Sequence, residues 1–224
     1  MIIAIPNLLT PEQVAHARGR FDATNWDDGA KTAGAVAQKV KHNRQLAHDN
    51  PVAIEIGDLI LGALPRHPLF MSAAMPLRVL PPKFNRYEGG EHYGAHIDNA
   101  IMSSPQGRIR TDLSMTVFFS EPDEYDGGDL RVIDTYGEKT VKLPAGHAIL
   151  YTSTSLHEVT PVTRGVRTSS FFWMQSLIRD DTQRNILFDL DQNIQKLTAA
   201  YPDYPDIAKF TGTYHRLLQQ WSEL

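Results

Sequence analysis

His96 and Asp98 stand two residues apart in the stretch Tyr93-Gly94-Ala95-His96-Ile97-Asp98, which reads as a β-strand. Side chains alternate along a strand, so an imidazole and a carboxylate at this spacing share a face and can reach one metal ion. His157 sits in a second strand-like stretch, Ser155-Leu156-His157-Glu158-Val159. Two histidines and one carboxylate form a facial triad, the ligand set expected of a non-haem Fe(II) centre with positions left open for co-substrate and O2. A His-x-Asp pair alone is a weak signal, so the rest of the pattern has to carry the reading.

Arg167 follows His157 by ten residues, and Ser169 follows Arg167 by two, which places that pair on one face of a strand. A guanidinium is a planar fork that grips a carboxylate through two parallel hydrogen bonds. A metal-bound 2-oxo acid would hold its far carboxylate away from the iron, where such a fork is needed. Taken alone Arg167 reads as a surface ion pair; beside the triad it reads as a clamp. Other chemistries fit less well. Glu158 follows His157, but Pro161 stands where a zinc protease motif needs its second histidine. A His92–His96 pair would need a helix, and Gly89, Gly90 and Gly94 argue against one. His16, His42, His48, His67, His147 and His215 lack spaced partners and read as surface or loop residues. Gly89-Gly90 and Gly127-Gly128 lie between strands, which fits turns better than phosphate cradles.

The elements that must position these groups are mostly strands. Leu77 to Tyr87, Tyr93 to Asp98, Leu113 to Ser120, Leu130 to Asp134, Lys139 to Leu143, Ala148 to Thr152, His157 to Val162 and Thr168 to Leu177 all read as strands. The breaks carry turn residues, among them Tyr136-Gly137, Pro144-Ala145-Gly146 and Arg164-Gly165. This pattern predicts a sandwich, jelly roll or barrel. An opening helix has Thr10 as N-cap, Pro11 at its first position and Gln13 completing a capping box. A second helix runs from Pro51 towards Leu64, with Ile54, Leu59, Ile60 and Leu61 read as core. Asp181 to Ala200 and Asp206 to Trp221 read as two further helices, separated by the Tyr201–Pro205 stretch and its two prolines. They form a C-terminal helical subdomain that buttresses the sheet, gates substrate or mediates self-association. The expected division is residues 1–179 and 180–224. Asn99 to Arg110 reads as a long loop beside the metal, either a substrate lid or an ordinary connection.

Composition bounds the class. The chain has 224 residues, 42% apolar and 21% charged, with a net charge of −4 and no cysteine. Thiolate ligands, disulfides and Fe–S clusters are therefore excluded, and a metal must rest on imidazole and carboxylate. Met1 to Ile5 is too short for a signal peptide, and no apolar run reaches the roughly 20 residues that cross a bilayer. A cytoplasmic protein is expected. No Lys/Arg cluster stands out, which does not favour nucleic-acid binding. The C-terminal helices are able to pair between chains, but nothing in the sequence compels a homo-oligomer.

The motif Tyr87-x-x-Gly90-x-x-Tyr93-x-x-His96-x-Asp98 is followed by Gly127-Gly128-Asp129-Leu130, Gly146 and His157-Glu158-Val159-x-Pro161-Val162-x-x-Gly165-x-Arg167. In this combination the chain resembles the prolyl/lysyl-hydroxylase-like 2-oxoglutarate dioxygenases, and more narrowly the bacterial PKHD-type hydroxylases. The resemblance covers most of the chain. It implies a mainly β fold with flanking helices, built on a double-stranded β-helix (jelly roll) core. It implies Fe(II) on His96, Asp98 and His157, and the C5 carboxylate of 2-oxoglutarate on Arg167, with Ser169 as a second donor. Tyr87 and Tyr93 are either pocket hydroxyls near the co-substrate or strand-packing aromatics. The implied reaction consumes O2 and 2-oxoglutarate, hydroxylates a substrate and releases succinate and CO2. Asp98 occupies the ligand position that halide takes in related halogenases, which favours hydroxylation. The resemblance also implies ascorbate as the reductant that keeps iron ferrous, and an association with iron homeostasis. The substrate stays open between a free amino acid, a peptidyl residue and a siderophore-like small molecule. A non-catalytic metal- and 2-oxoglutarate-binding sensor is the competing class, and such a chain would be expected to lose the clamp or a ligand. A cupin without 2-oxoglutarate would bring more histidines and no such arginine.

Overall fold

The computed structural model describes residues 1–32, 40–104, 107–134 and 137–224. In chain order the strands are β1 (Ile2–Ile5), β2 (Asp27–Asp28), β3 (Lys41–His42), β4 (Arg44–Gln45), β5 (Pro76–Val79), β6 (Lys83–Glu88), β7 (His92–His96), β8 (Ile101–Ser104), β9 (Gly107–Arg110), β10 (Leu113–Phe118), β11 (Tyr125–Gly127), β12 (Leu130–Asp134), β13 (Gly137–Val141), β14 (Ala148–Thr152), β15 (Leu156–Val159) and β16 (Val162–Ser176). The α-helices are α1 (Pro11–Asp22), α2 (Pro51–Ala63), α3 (Pro68–Ala74), α4 (Asp181–Ala200) and α5 (Ile207–Trp221).

Among the described residues the strands form two main antiparallel sheets. The larger runs β1-β14-β10-β16-β6-β4-β2, with β5 and β11 also on β16, and the smaller runs β13-β12-β15-β7-β3. This is the jelly-roll architecture expected, mainly β with helices at its flanks. Alternation along the large sheet divides its side chains between two cores. Tyr87, Phe118, Ile149 and Tyr151 face the small sheet and pack with Leu130, Val132, Val141 and Val159. Phe84, Leu113, Met115, Val117, Leu150, Phe172 and Met174 face the other way, onto α1, α2 and α3. Both faces of β10 are covered, so all six of its residues are buried. Each large apolar side chain so buried contributes ~1.5–3 kcal/mol.

α1 starts where its capping box sets it. Gln13 N–H donates to Thr10 Oγ1 at 3.3 Å, and Thr10 N–H donates to Gln13 Oε1 at 2.9 Å. Such a cap contributes ~0.5–2 kcal/mol. α2 starts after Asn50, whose side chain accepts from Val52 N–H. Its face differs from the expectation. Ile60 is core and Leu59 and Leu61 are partly buried, but Ile54 is 52% exposed. The buried stripe is carried instead by Val52, Ala53, Ile56, Gly57 and Ile60. α4 and α5 pack on each other and close over Met75 and Ile178 through Leu187, Leu217, Leu218 and Trp221. Glu223 N–H donates to Leu177 O at 2.8 Å, tying the C-terminal end of the chain back to the end of β16. No described helix is long and apolar enough to cross a membrane.

Other departures have local causes. The stretch read as one strand from Leu77 to Tyr87 is two, β5 and β6, split at Pro81-Pro82, where proline cannot donate to a ladder. The expected Asn99–Arg110 loop is largely a hairpin, with Ile101 opposite Arg110 and Ser104 opposite Gly107. Its tip at 105–106, like the expected turn residue Tyr136, lies outside the described residues. The predicted turn at Arg164-Gly165 lies inside the continuous strand β16. Gly165 meets that role with φ +71, and a Cβ there would lie 2.0 Å from the carbonyl oxygen of Glu124. Gly165→Ala is therefore expected to destabilise the fold by ~1–3 kcal/mol, read as a lowered urea midpoint. Gly19→Ala, on the open surface of α1 with nothing near its Cβ, is expected to be neutral or stabilising. An unchanged midpoint for Gly165→Ala would contradict the strand geometry.

Candidate active site

β15 and β7 lie side by side in the small sheet, with His157 opposite His96. The two imidazole centroids are 4.3 Å apart. Asp98 lies two residues past the end of β7, beyond the strand expected to carry it. Its Oδ2 is 3.8 Å from His157 Nε2, and one ligand atom from each of His96, Asp98 and His157 falls within 4.8 Å of the others. The three residues expected to share a metal are thus brought together.

Each ligand candidate is oriented by a partner behind it. His96 Nδ1 lies 2.9 Å from Gly94 O, and His157 Nδ1 lies 3.0 Å from Ser155 O. A carbonyl only accepts, so both rings carry a proton on Nδ1 and turn Nε2 towards the cluster. Ser114 Oγ donates to Asp98 Oδ2 at 2.6 Å and so holds the carboxylate despite its place outside a strand. Tyr93 stacks on His96 at 3.7 Å and 16°, and Tyr151 meets His157 edge-on at 5.2 Å. Burial, and next the neighbouring His157, pull the His96 imidazolium down to about 4. At neutral pH the ring is the neutral form that a metal takes.

Arg167 is 1% exposed. Its guanidinium carbon lies 5.3 Å from the Tyr87 ring centroid and 5.4 Å from that of Phe118. Nη1 donates to Ser169 Oγ at 2.6 Å, Ser169 donates onward to Asn85 Oδ1 at 2.5 Å, and Asn85 Nδ2 donates to Tyr87 Oη at 3.0 Å. Ser169, expected as a second donor beside Arg167, donates to Asn85 in this structure, and its hydroxyl oxygen accepts from the arginine. Nε and Nη2 of Arg167 are buried with no hydrogen-bond partner. A buried cation with orphaned donors is costly, and an anion in the adjoining cavity would relieve that cost. Gly128 allows the burial: at φ +64, a Cβ would lie 3.0 Å from Arg167 Cδ and 2.8 Å from Val162 Cγ2.

One cavity of about 480 Å³ is lined by His96, Asp98, His157, Arg167 and Ser169, with Tyr87 and Tyr93 beside them and Trp173 as a wall. That volume suits a small ligand. Burial pushes the Tyr87 hydroxyl up to about 12, against the pull of Arg167, and burial with the charge of Asp98 raises Tyr93. Both phenols therefore stay protonated. Ser114, Asn85, Lys41 and Lys83 also line the cavity and were not anticipated. They reach it through long-range strand register, which leaves no local signal in the sequence. Among the other histidines, His67 caps α3 and His42 meets His92 in a tilted ring contact with centroids 4.9 Å apart.

Residues 82–175 match the 2OG-Fe(II) oxygenase superfamily, and residues 181–223 match the PKHD-type hydroxylase C-terminal domain. A PKHD-type hydroxylase of Bordetella pertussis is 55% identical over 226 residues, covering 100% of both chains. The PKHD-type hydroxylase PiuC of Pseudomonas aeruginosa is 54% identical over 226 residues, again covering 100% of both. Among solved structures, a Pseudomonas putida prolyl-4-hydroxylase aligns with TM-score 0.53 and 20% identity, over 78% of this chain and 92% of that one. The carbocyclase SnoK from nogalamycin biosynthesis aligns with TM-score 0.56 and 14% identity, over 79% and 80%. These two share the fold. The full-length relatives decide the family: this chain belongs to the PKHD-type hydroxylases, enzymes of the 2OG-Fe(II) oxygenase superfamily.

Proposed function

We propose that this chain is an Fe(II)- and 2-oxoglutarate-dependent hydroxylase in which His96, Asp98 and His157 hold the iron and Arg167 holds the distal carboxylate of 2-oxoglutarate. The observation that carries the assignment is the pairing, in one cavity, of the His96/Asp98/His157 cluster with a buried arginine that has two unsatisfied N–H groups. Bound together, iron and co-substrate supply the oxidising chemistry: 2-oxoglutarate, O2 and R–H give succinate, CO2 and R–OH.

The protein's own part is orientation and shielding. Gly94 O and Ser155 O fix the two imidazoles, and Ser114 fixes the carboxylate. Ser169 and Asn85 align the guanidinium, and Tyr87 and Tyr93 place protonated hydroxyls on the cavity wall. Ascorbate fits as a reductant that restores ferrous iron after unproductive turnover. Residues 1–179 would then form the catalytic unit and 180–224 a helical unit braced against the end of β16. The test is O2-dependent conversion of 2-oxoglutarate to equimolar succinate by the iron-loaded protein. Iron and 2-oxoglutarate binding without any succinate would point to a sensor instead.

A further inference from the structure

The active-site cavity carries more positive charge than this chemistry uses. Among the described residues lining it, the charged side chains besides the histidines are Lys41, Lys83, Asp98 and Arg167. Three cations against one carboxylate leave a formal +2 (3 − 1 = 2). Fe(II) adds two positive charges and 2-oxoglutarate two negative ones, so loading the site leaves that surplus in place.

The two lysines gather at one end. Along the β6–β16 pair, Tyr87 lies opposite Arg167, Asn85 opposite Ser169 and Lys83 opposite Phe171. Lys83 is thus four residues from Tyr87, roughly 13 Å along the strand at ~3.3 Å per residue, and is not part of the Arg167 clamp. Lys83 Nζ lies 5.5 Å from the Trp173 ring centroid. Lys41, opposite Tyr93 in the β3–β7 pair, brings its Nζ to 5.7 Å from the Phe171 centroid and 5.4 Å from that of Tyr93. Phe171 thus lies 5.7 Å from the Lys41 ammonium and pairs in register with Lys83. Lys41 is anchored: its Nζ donates to Gln45 Oε1 at 2.8 Å, and it feels the charge of Asp28. Lys83 is half-buried, and burial alone lowers its pKa, with no carboxylate opposing the shift. Burial and then the charge of Lys83 bring Lys41 down to about 8. Like charges held close in a half-enclosed cavity favour an anion between them.

We propose that this end of the cavity is the anion subsite for the prime substrate, with Lys83 and Lys41 binding a carboxylate on it and Phe171 and Trp173 flanking its apolar part. The substrate class is thereby a carboxylate-bearing molecule rather than a neutral one. The inference rests on the function proposed above.

The test compares matched acids and amides on the full chain loaded with Zn(II), which is redox-inert, and 2-oxoglutarate. Phenylacetate, indole-3-acetate and hexanoate are titrated beside their primary amides by ligand-detected NMR. At least one acid is expected to bind about tenfold or more tighter than its amide, as a hydrogen bond to a charged group gives. Lys83→Met, which keeps the apolar stem against Trp173, is expected to bring that ratio to about one, and Lys83→Arg to retain it. Neither variant should weaken 2-oxoglutarate binding by a comparable factor. Equal binding of acids and amides, no binding of any acid, or an acid preference that survives Lys83→Met would overturn the subsite. Failure of 2-oxoglutarate itself to bind would overturn the proposed function, and the subsite with it.

Discussion

His96→Ala is expected to lose Fe(II) affinity by more than a hundredfold in anaerobic titration. The variant removes one of three ligand atoms that lie within 4.8 Å of one another. Ser114→Ala sets the scale. It deletes the 2.6 Å hydrogen bond to Asp98 but no ligand, and a supporting partner of this kind costs ~10–100-fold in metal affinity. The order wild type, Ser114→Ala, His96→Ala is therefore the expected ranking. Retained folding is checked by circular dichroism, because His96 also stacks on Tyr93. Wild-type Fe(II) affinity in a folded His96→Ala protein would remove His96 from the ligand set.

The second large effect falls on the co-substrate. Arg167→Met is expected to raise the KM for 2-oxoglutarate by roughly 10²- to 4 × 10³-fold, because removing one partner of a buried charge pair costs ~3–5 kcal/mol. A second readout separates this role from a structural one. Without ligand, Arg167 is a 1% exposed cation with two orphaned donors, so an apolar side chain of similar length should leave the thermal midpoint of the ligand-free protein unchanged or raised. Loss of co-substrate affinity without loss of stability is the signature of a binding group. An unchanged KM would place the carboxylate elsewhere.

Much of this site was legible in the sequence because its grammar is local. His96 and Asp98 were assigned to one face from their spacing of two, and their ligand atoms do converge, although Asp98 reaches the cluster from beyond the strand. Arg167 and Ser169 share a face for the same reason, and their hydrogen bond follows from it. Thr10, Pro11 and Gln13 announced the start of α1, since a capping box is written within one turn. What escaped notice depends on long-range register. Ser114 supports Asp98 only because β10 sits between β14 and β16, and nothing around Ser114 in the sequence says so. Lys41 lies on a two-residue strand, too short for any periodicity to show. Ile54 misled for a related reason: α2 is apolar around much of its circumference, so composition alone did not say which side meets the sheet. The Asn99–Arg110 hairpin has the polar composition of a loop, and its pairing appears only once the strands are set side by side.

The most direct test of the central claim is an anaerobic titration of the purified protein, first with Fe(II) and then with 2-oxoglutarate. It follows the weak visible metal-to-ligand charge-transfer absorption that chelation of a 2-oxo acid to ferrous iron produces. The band is expected to appear with one equivalent of each, and to fade on admission of O2 as succinate forms. Iron binding with no band on addition of 2-oxoglutarate would contradict the account, because the His/Asp/His cluster and Arg167 would then not serve one bound co-substrate.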